Sequence, residues 1–203
     1  KTNGYRGSSF IANDNVIITN IDKIIQSDNI HYDDLEQRMS LSENAKVLSD
    51  NRKIFGDDIN IDFADSLISF INVQGNAIAH NITYAKTNKY SDDKQQLTDI
   101  MLGYNIDVTF ENNEIKTIAL NRMASTMYHA IDSSLLIGIN SVDGDLINLG
   151  FENDQLYKIN VKGDARGNFV PEPNNSQIDS TITYKSNEID YFINTDRFRF
   201  KKL

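Results

Sequence analysis

Apolar and polar residues alternate along this chain in short bursts, and one burst returns in the same frame. GDDINIDF (Gly56 to Phe63), GYNIDVTF (Gly103 to Phe110) and GDLINLGF (Gly144 to Phe151) each carry Gly, Ile three residues on, an aliphatic at five and Phe at seven. Alternate residues of an extended chain point to one side. Ile59, Ile61 and Phe63 therefore share a face, as do Ile106, Val108 and Phe110, and again Ile147, Leu149 and Phe151. Three stripes in one register predict a repeated strand unit that stacks its apolar face on its neighbours, a short β solenoid.

Around this frame the chain reads as one all-β domain over 1–203, in about five units near 7–39, 40–69, 70–116, 117–157 and 158–203. Each is expected to hold two to four short strands. In the first unit β-branched clusters (Val16 to Ile18, Ile24 and Ile25, Ile30) are separated by Asn and Asp, which reads as strand, turn, strand, turn. The distance from Val16 to Ser27 equals that from Ala45 to Gly56, eleven residues. A polar insertion, TYAKTNKYSDDKQQLTDIML, precedes Gly103 and reads as a long loop or a short helix after Ser91. The only prolines, Pro171 and Pro173, fall together in a loop, away from strands that need their backbone donors. Successive strands need not pair locally in such an array, and alternation alone does not separate a jelly roll or open barrel from a β-helix.

Composition narrows the function. A formal charge of −9 (20 Lys and Arg against 29 Asp and Glu) makes nucleic acid an unfavourable partner. Absence of Cys excludes disulfides and thiolate metal sites. No apolar run reaches the roughly 20 residues that span a bilayer as a helix, and KTNGYRGSSF lacks the apolar core of a signal peptide. The chain is expected to be cytosolic, or a mature or excised segment.

Candidate chemistry is sparse. His31, His80 and His129 have no second His within ligand spacing, so no metal is expected. Asp57-Asp58 and Asp143-Gly144-Asp145 lack the spaced ligands of a calcium loop and read as turns. Neighbouring acids such as Asp33-Asp34 and Asp92-Asp93 face opposite ways on a strand, whereas Glu188 and Asp190 can share a face, as a glycosidase pair or as a solvated edge. No G-x-S-x-G, Walker or Rossmann phrase is present, and no catalytic residues are assigned. In the tail, alternation predicts Phe198 and Phe200 packed inward with Arg197, Arg199 and Lys201 outward, on a strand whose open edge invites a partner strand.

The repeated phrases carry a resemblance. Asn15-Val16, Asn44-Ala45, Gly75-Asn76-Ala77 and Gly163-Asp164-Ala165 are each followed by a phrase that opens at Ser27, Gly56, Gly103 or Ser186. With the links FENNEIKTIAL and FENDQLYKINVKGDARGNF, the chain resembles, over nearly its whole length, the OstA-like, LptA-type proteins of lipopolysaccharide transport, a family that also supplies the periplasmic domain of LptD. Two departures loosen the expected register: the first unit turns early at Asp33 without a Phe, and the fourth has Arg122-Met123-Ala124 for Gly-Asn-Ala.

The resemblance implies an elongated, open, V-shaped β jelly roll, a taco-like solenoid whose groove holds the acyl chains of lipopolysaccharide or a similar lipid. It implies a periplasmic module of outer-membrane biogenesis in Gram-negative bacteria, docking end to end with like Lpt proteins through terminal edge strands, without a cofactor and without catalysis. The groove residues would be Ile59, Ile61, Phe63, Ile106, Val108, Phe110, Ile147, Leu149 and Phe151. Burial of about 0.8 kcal/mol per methylene gives a twelve-carbon chain on the order of 10 kcal/mol, before ordering costs. The competing expectation is a closed β-helix scaffold or carbohydrate-active enzyme, with a side-chain-filled interior and an external carboxylate cleft at Glu188 and Asp190.

Overall fold

The computed structural model describes residues 7–19, 23–112, 114–153, 155–173, 175–193 and 197–201. Among them the alternating stretches form eleven strands: β1 Ser9–Thr19, β2 Lys23–Asp33, β3 Arg38–Ser49, β4 Arg52–Ala64, β5 Leu67–Lys86, β6 Lys94–Glu111, β7 Glu114–Asp132, β8 Leu135–Glu152, β9 Gln155–Pro171, β10 Ile182–Phe192 and β11 Arg197–Lys201. They pair in sequence order as one antiparallel sheet, with one additional parallel bridge between Lys86 of β5 and Leu135 of β8. Each unit is thus two long strands rather than several short ones, and consecutive strands do pair locally. The described part of the polar insertion contains no helix; it is the tip of the β5–β6 hairpin, with Lys86 opposite Lys94.

Two local devices set the register. The first is the turn after each Phe. Phe63 pairs with Ile68, Phe110 with Ile115 and Phe151 with Leu156, each across a tight turn and beside a bulge that inserts Ser69, Lys116 or Tyr157. Asp65 and Ser66 take φ of 50° and 66°, the left-handed pair of a type I′ hairpin turn. Hence the F-x-x-x-x-I/L spacing in the sequence is a hairpin closed by an apolar cross-strand pair.

The second device is a bulge in the middle of every odd-numbered strand from β1 to β9. Asp14-Asn15, Glu43-Asn44, Gly75-Asn76, Arg122-Met123 and Gly163-Asp164 all have φ between 46° and 75°. The residue after each pair lies opposite the small residue of the next strand: Val16 opposite Ser27, Ala45 opposite Gly56, Ala77 opposite Gly103, Ala124 opposite Gly144 and Ala165 opposite Ser186. Two residues thus oppose one, which bends the strand. Repeated on successive strands, the bend becomes a ridge along which the sheet folds lengthwise on itself. Arg122-Met123 keeps the register that its sequence was expected to loosen, because its side chains are exposed and meet no steric limit there.

The result is an elongated β jelly roll of two layers. One layer holds the strand halves between the ridge and the β4–β5, β6–β7 and β8–β9 turns; the other holds the remaining halves. Along the first layer an unbroken cross-strand row runs Ile30, Leu41, Ile59, Val73, Ile106, Leu120, Ile147, Val161 and Ile189. Every member is at most 2% exposed. A one-sheet meander can hide such a row only under its own other half.

Candidate functional site

The nine stripe residues lie on one inner face, in three rows at increasing distance from the ridge. Ile59, Ile106 and Ile147 form the row nearest the ridge and are fully buried. Ile61, Val108 and Leu149 form the second and are at most 3% exposed. Phe63, Phe110 and Phe151 form the third, beside the turns, and are only partly buried. Opposite them the inward residues near the ridge are small: Ser27, Ala45, Ala77, Ala79, Ala124 and Ala165 are buried there. Large aliphatics of one layer fill the space left by small residues of the other, so the wedge is packed at its apex and loosens toward its mouth.

The odd-numbered strands complete the apex row with residues outside the nine expected ones. Leu41, Val73, Leu120 and Val161 belong to odd-numbered strands, which run the other way and so present the repeat in reverse. The signal was the apolar pair before each bulge, as in Ile71 and Val73 or Ile159 and Val161.

The mouth is amphipathic. The lip opposite the Phe row carries polar residues at the third inward position of β4 to β8 (Arg52 opposite Asn81, Asn81 opposite Asp99, and Tyr128 opposite Asn140) and apolar ones beyond, Phe169 opposite Asn140 and Ile182 opposite Phe169. Asn140, 3% exposed, donates its amide to the Tyr128 hydroxyl at 2.8 Å and accepts from the Tyr184 hydroxyl at 2.8 Å. Burial pushes the Tyr184 hydroxyl up to about 12 and the Tyr128 hydroxyl higher still, so both stay protonated at neutral pH. The Tyr184 ring packs over Gly167, where any β-carbon would collide with it.

Elsewhere the candidate chemistry resolves into structural ladders. Glu188 and Asp190 do share the outer face. Asn160 donates to both, at 3.0 and 2.9 Å, and Lys158 lies 3.3 Å from Asp190, beneath a shallow surface concavity of about 330 Å³. Asp57 accepts from Asn76 at 3.0 Å; with Asp143 and Asp145 it lies at the ridge within strands β4 and β8, not in hairpin turns as expected. Asp33 accepts from the backbone of Leu35 and Glu36 in the β2–β3 turn. Asp92 pairs with Lys86, which lowers its carboxyl below the usual range. The His129 ring lies 2.8 Å from Asp99, His80 stacks edge-on against Phe55, and His31 is exposed. Among the described residues no three metal-ligating side chains converge. The expected inward packing of Phe198 and Phe200 falls outside the described side chains.

No family model matches this chain, and no curated protein does. Among solved structures it is similar to LptH from Pseudomonas aeruginosa, described as the LptA homologous periplasmic component of the conserved lipopolysaccharide transport device, with 13% identity and a TM-score of 0.49 over 80% of this chain and 92% of that one.

Proposed function

We propose that this domain carries a lipid by its acyl chains in the mouth of the folded sheet, with lipopolysaccharide the lipid to which the OstA-like sequence phrases point. The reading places it in the periplasm, as a module of outer-membrane biogenesis that docks end to end with like domains. The observation that supports it best is the graded burial of the three rows. A packed apex keeps the two layers together, while the Phe row, repeated on β4, β6 and β8, leaves apolar surface available along the mouth. Acyl chains would lie against Phe63, Phe110 and Phe151 across the strands, with the deeper Ile59, Ile61, Ile106, Val108, Ile147 and Leu149 as their floor.

Docking has its own support. Among the described residues β1 pairs on one side only, with β2, and it exposes Phe10 by 50%, Ile11 by 65% and Ile17 by 56%. An unpaired strand edge with apolar side chains is suited to accept another strand.

Replacing Phe110 and Phe151 together by Ser tests the lipid reading at positions whose partial exposure lets the fold survive. Removing two ring contacts lowers affinity for a long-chain lipid about tenfold or more, as read by titration calorimetry. Unchanged affinity in a folded double variant contradicts the reading.

A further inference from the structure

We infer that the Tyr128–Asn140 pair is a hydrogen-bonding clamp for a neutral carbonyl at the head of an acyl chain, an ester or amide group. The inference rests on the lipid-carrying reading and specifies which atoms of the lipid are recognised.

Donor accounting carries it. An Asn amide offers two N–H donors and a Tyr hydroxyl one. Asn140 spends one donor on Tyr128 and its oxygen on Tyr184. Among the described residues the second amide hydrogen of Asn140 and the hydroxyl hydrogen of Tyr128 have no acceptor. Asn140 is buried and Tyr128 half-buried; a donor drawn away from water without a partner is costly, so two on groups 2.8 Å apart mark a place where an acceptor is wanted. Both residues face inward: Ala124 and Thr126 precede Tyr128 on its face of β7, and Val142 follows Asn140 on its face of β8, all three buried. Counting from the ridge, Tyr128 stands at the third inward position, the level that Phe110 and Phe151 hold in the facing layer. A chain lying along the Phe row would bring its polar end to the opposite lip there.

The chemistry selects the acceptor. Tyr184 and Asn140 hold each other, so the amide presents N–H rather than oxygen to the mouth, and a donor ligand such as an ammonium is not served. Asp99 lies close enough to Tyr128 to oppose negative charge on it, and the chain as a whole is acidic, which disfavours a free carboxylate. A neutral ester or amide carbonyl takes both hydrogens and adds no charge.

The test uses two soluble twelve-carbon probes below their micelle concentrations: N-dodecanoyl-N-methylglucamine, which has an amide carbonyl, and dodecyl glucoside, which has only an ether link. Calorimetry on the wild-type chain and Tyr128→Phe is expected to show about a fivefold affinity loss for the amide probe and no change for the glucoside. With a carbonyl-labelled amide probe, the infrared carbonyl band shifts to lower frequency on binding the wild type and less on binding the variant. Equal losses for both probes, or none for either, overturn the clamp while leaving the lipid-carrying reading in place. If neither probe binds the folded wild type, both fall together.

Discussion

Ile106→Asp is expected to abolish the folded state. Ile106 is fully buried in the middle of the apex row, between Val73 and Leu120 on the neighbouring strands. Truncating such a side chain costs about 2–5 kcal/mol, and an ionised carboxylate with no partner adds several more. A domain of this size has about 5–15 kcal/mol to lose. Circular dichroism should show the cooperative melting transition gone, whereas Thr109→Asp, on the same strand but exposed, should melt within a few degrees of wild type. A folded Ile106→Asp protein would mean that the apex is hydrated rather than packed. The same burial makes Ile106 a poor probe of lipid binding, because losing the fold and losing the ligand would look alike there; the partly buried Phe row avoids that confusion.

Gly144→Val should overpack the ridge. A β-carbon at Gly144 would collide with Cγ1 of Val161 at 2.6 Å and press on the Lys162 carbonyl oxygen at 3.1 Å. Val161 is itself 1% exposed and β-branched, so it cannot rotate away freely. Overpacking of this kind costs about 1–3 kcal/mol. For a chain of this length that lowers the melting temperature by about 2–12 °C. Calorimetric melting measures it directly. An unchanged melting point would show that the layers have room to move apart beside the ridge, which is also what an acyl chain entering the apex would require.

The chain disclosed its even-numbered strands as apolar stripes and its odd-numbered ones chiefly by the short Asn-Val, Asn-Ala, Gly-Asn-Ala and Gly-Asp-Ala phrases at their bulges. Gly56, Gly103 and Gly144 announce the ridge, Phe63, Phe110 and Phe151 announce the turns, and the residues between alternate cleanly. The odd-numbered strands meet the ridge with two left-handed residues; Asp14-Asn15, Glu43-Asn44, Gly75-Asn76 and Gly163-Asp164 end in Asn or Asp, whereas Arg122-Met123 has neither. What they share is a backbone conformation, and Gly, Asn and exposed side chains of several kinds can adopt it. The span from Thr83 to Leu102 misled for a related reason. Its strands form a hairpin tip in which β5 has left β4 after Asn81 and meets β8 only at Lys86, and β6 is free of β7 before Ile100, so little second-strand pairing imposes alternation there.

The site was legible as a face and not as a gradient. Period-2 alternation gives Ile59 and Phe63 the same side, but their difference in exposure depends on distance from a fold line that only the ridge bulges define. The polar lip was not legible at all. Tyr128 and Asn140 come together through the register of β7 against β8, and no spacing rule in one dimension connects them.

The most direct test of the central claim is native mass spectrometry of the folded chain with lipids of one head group and increasing acyl length, from two carbons to fourteen. A groove along the Phe row predicts adducts that are absent for the shortest chains and grow steadily with each pair of methylenes. Adducts independent of acyl length, or none from a sample that melts cooperatively, would contradict it and leave a closed β scaffold with its interior filled by its own side chains.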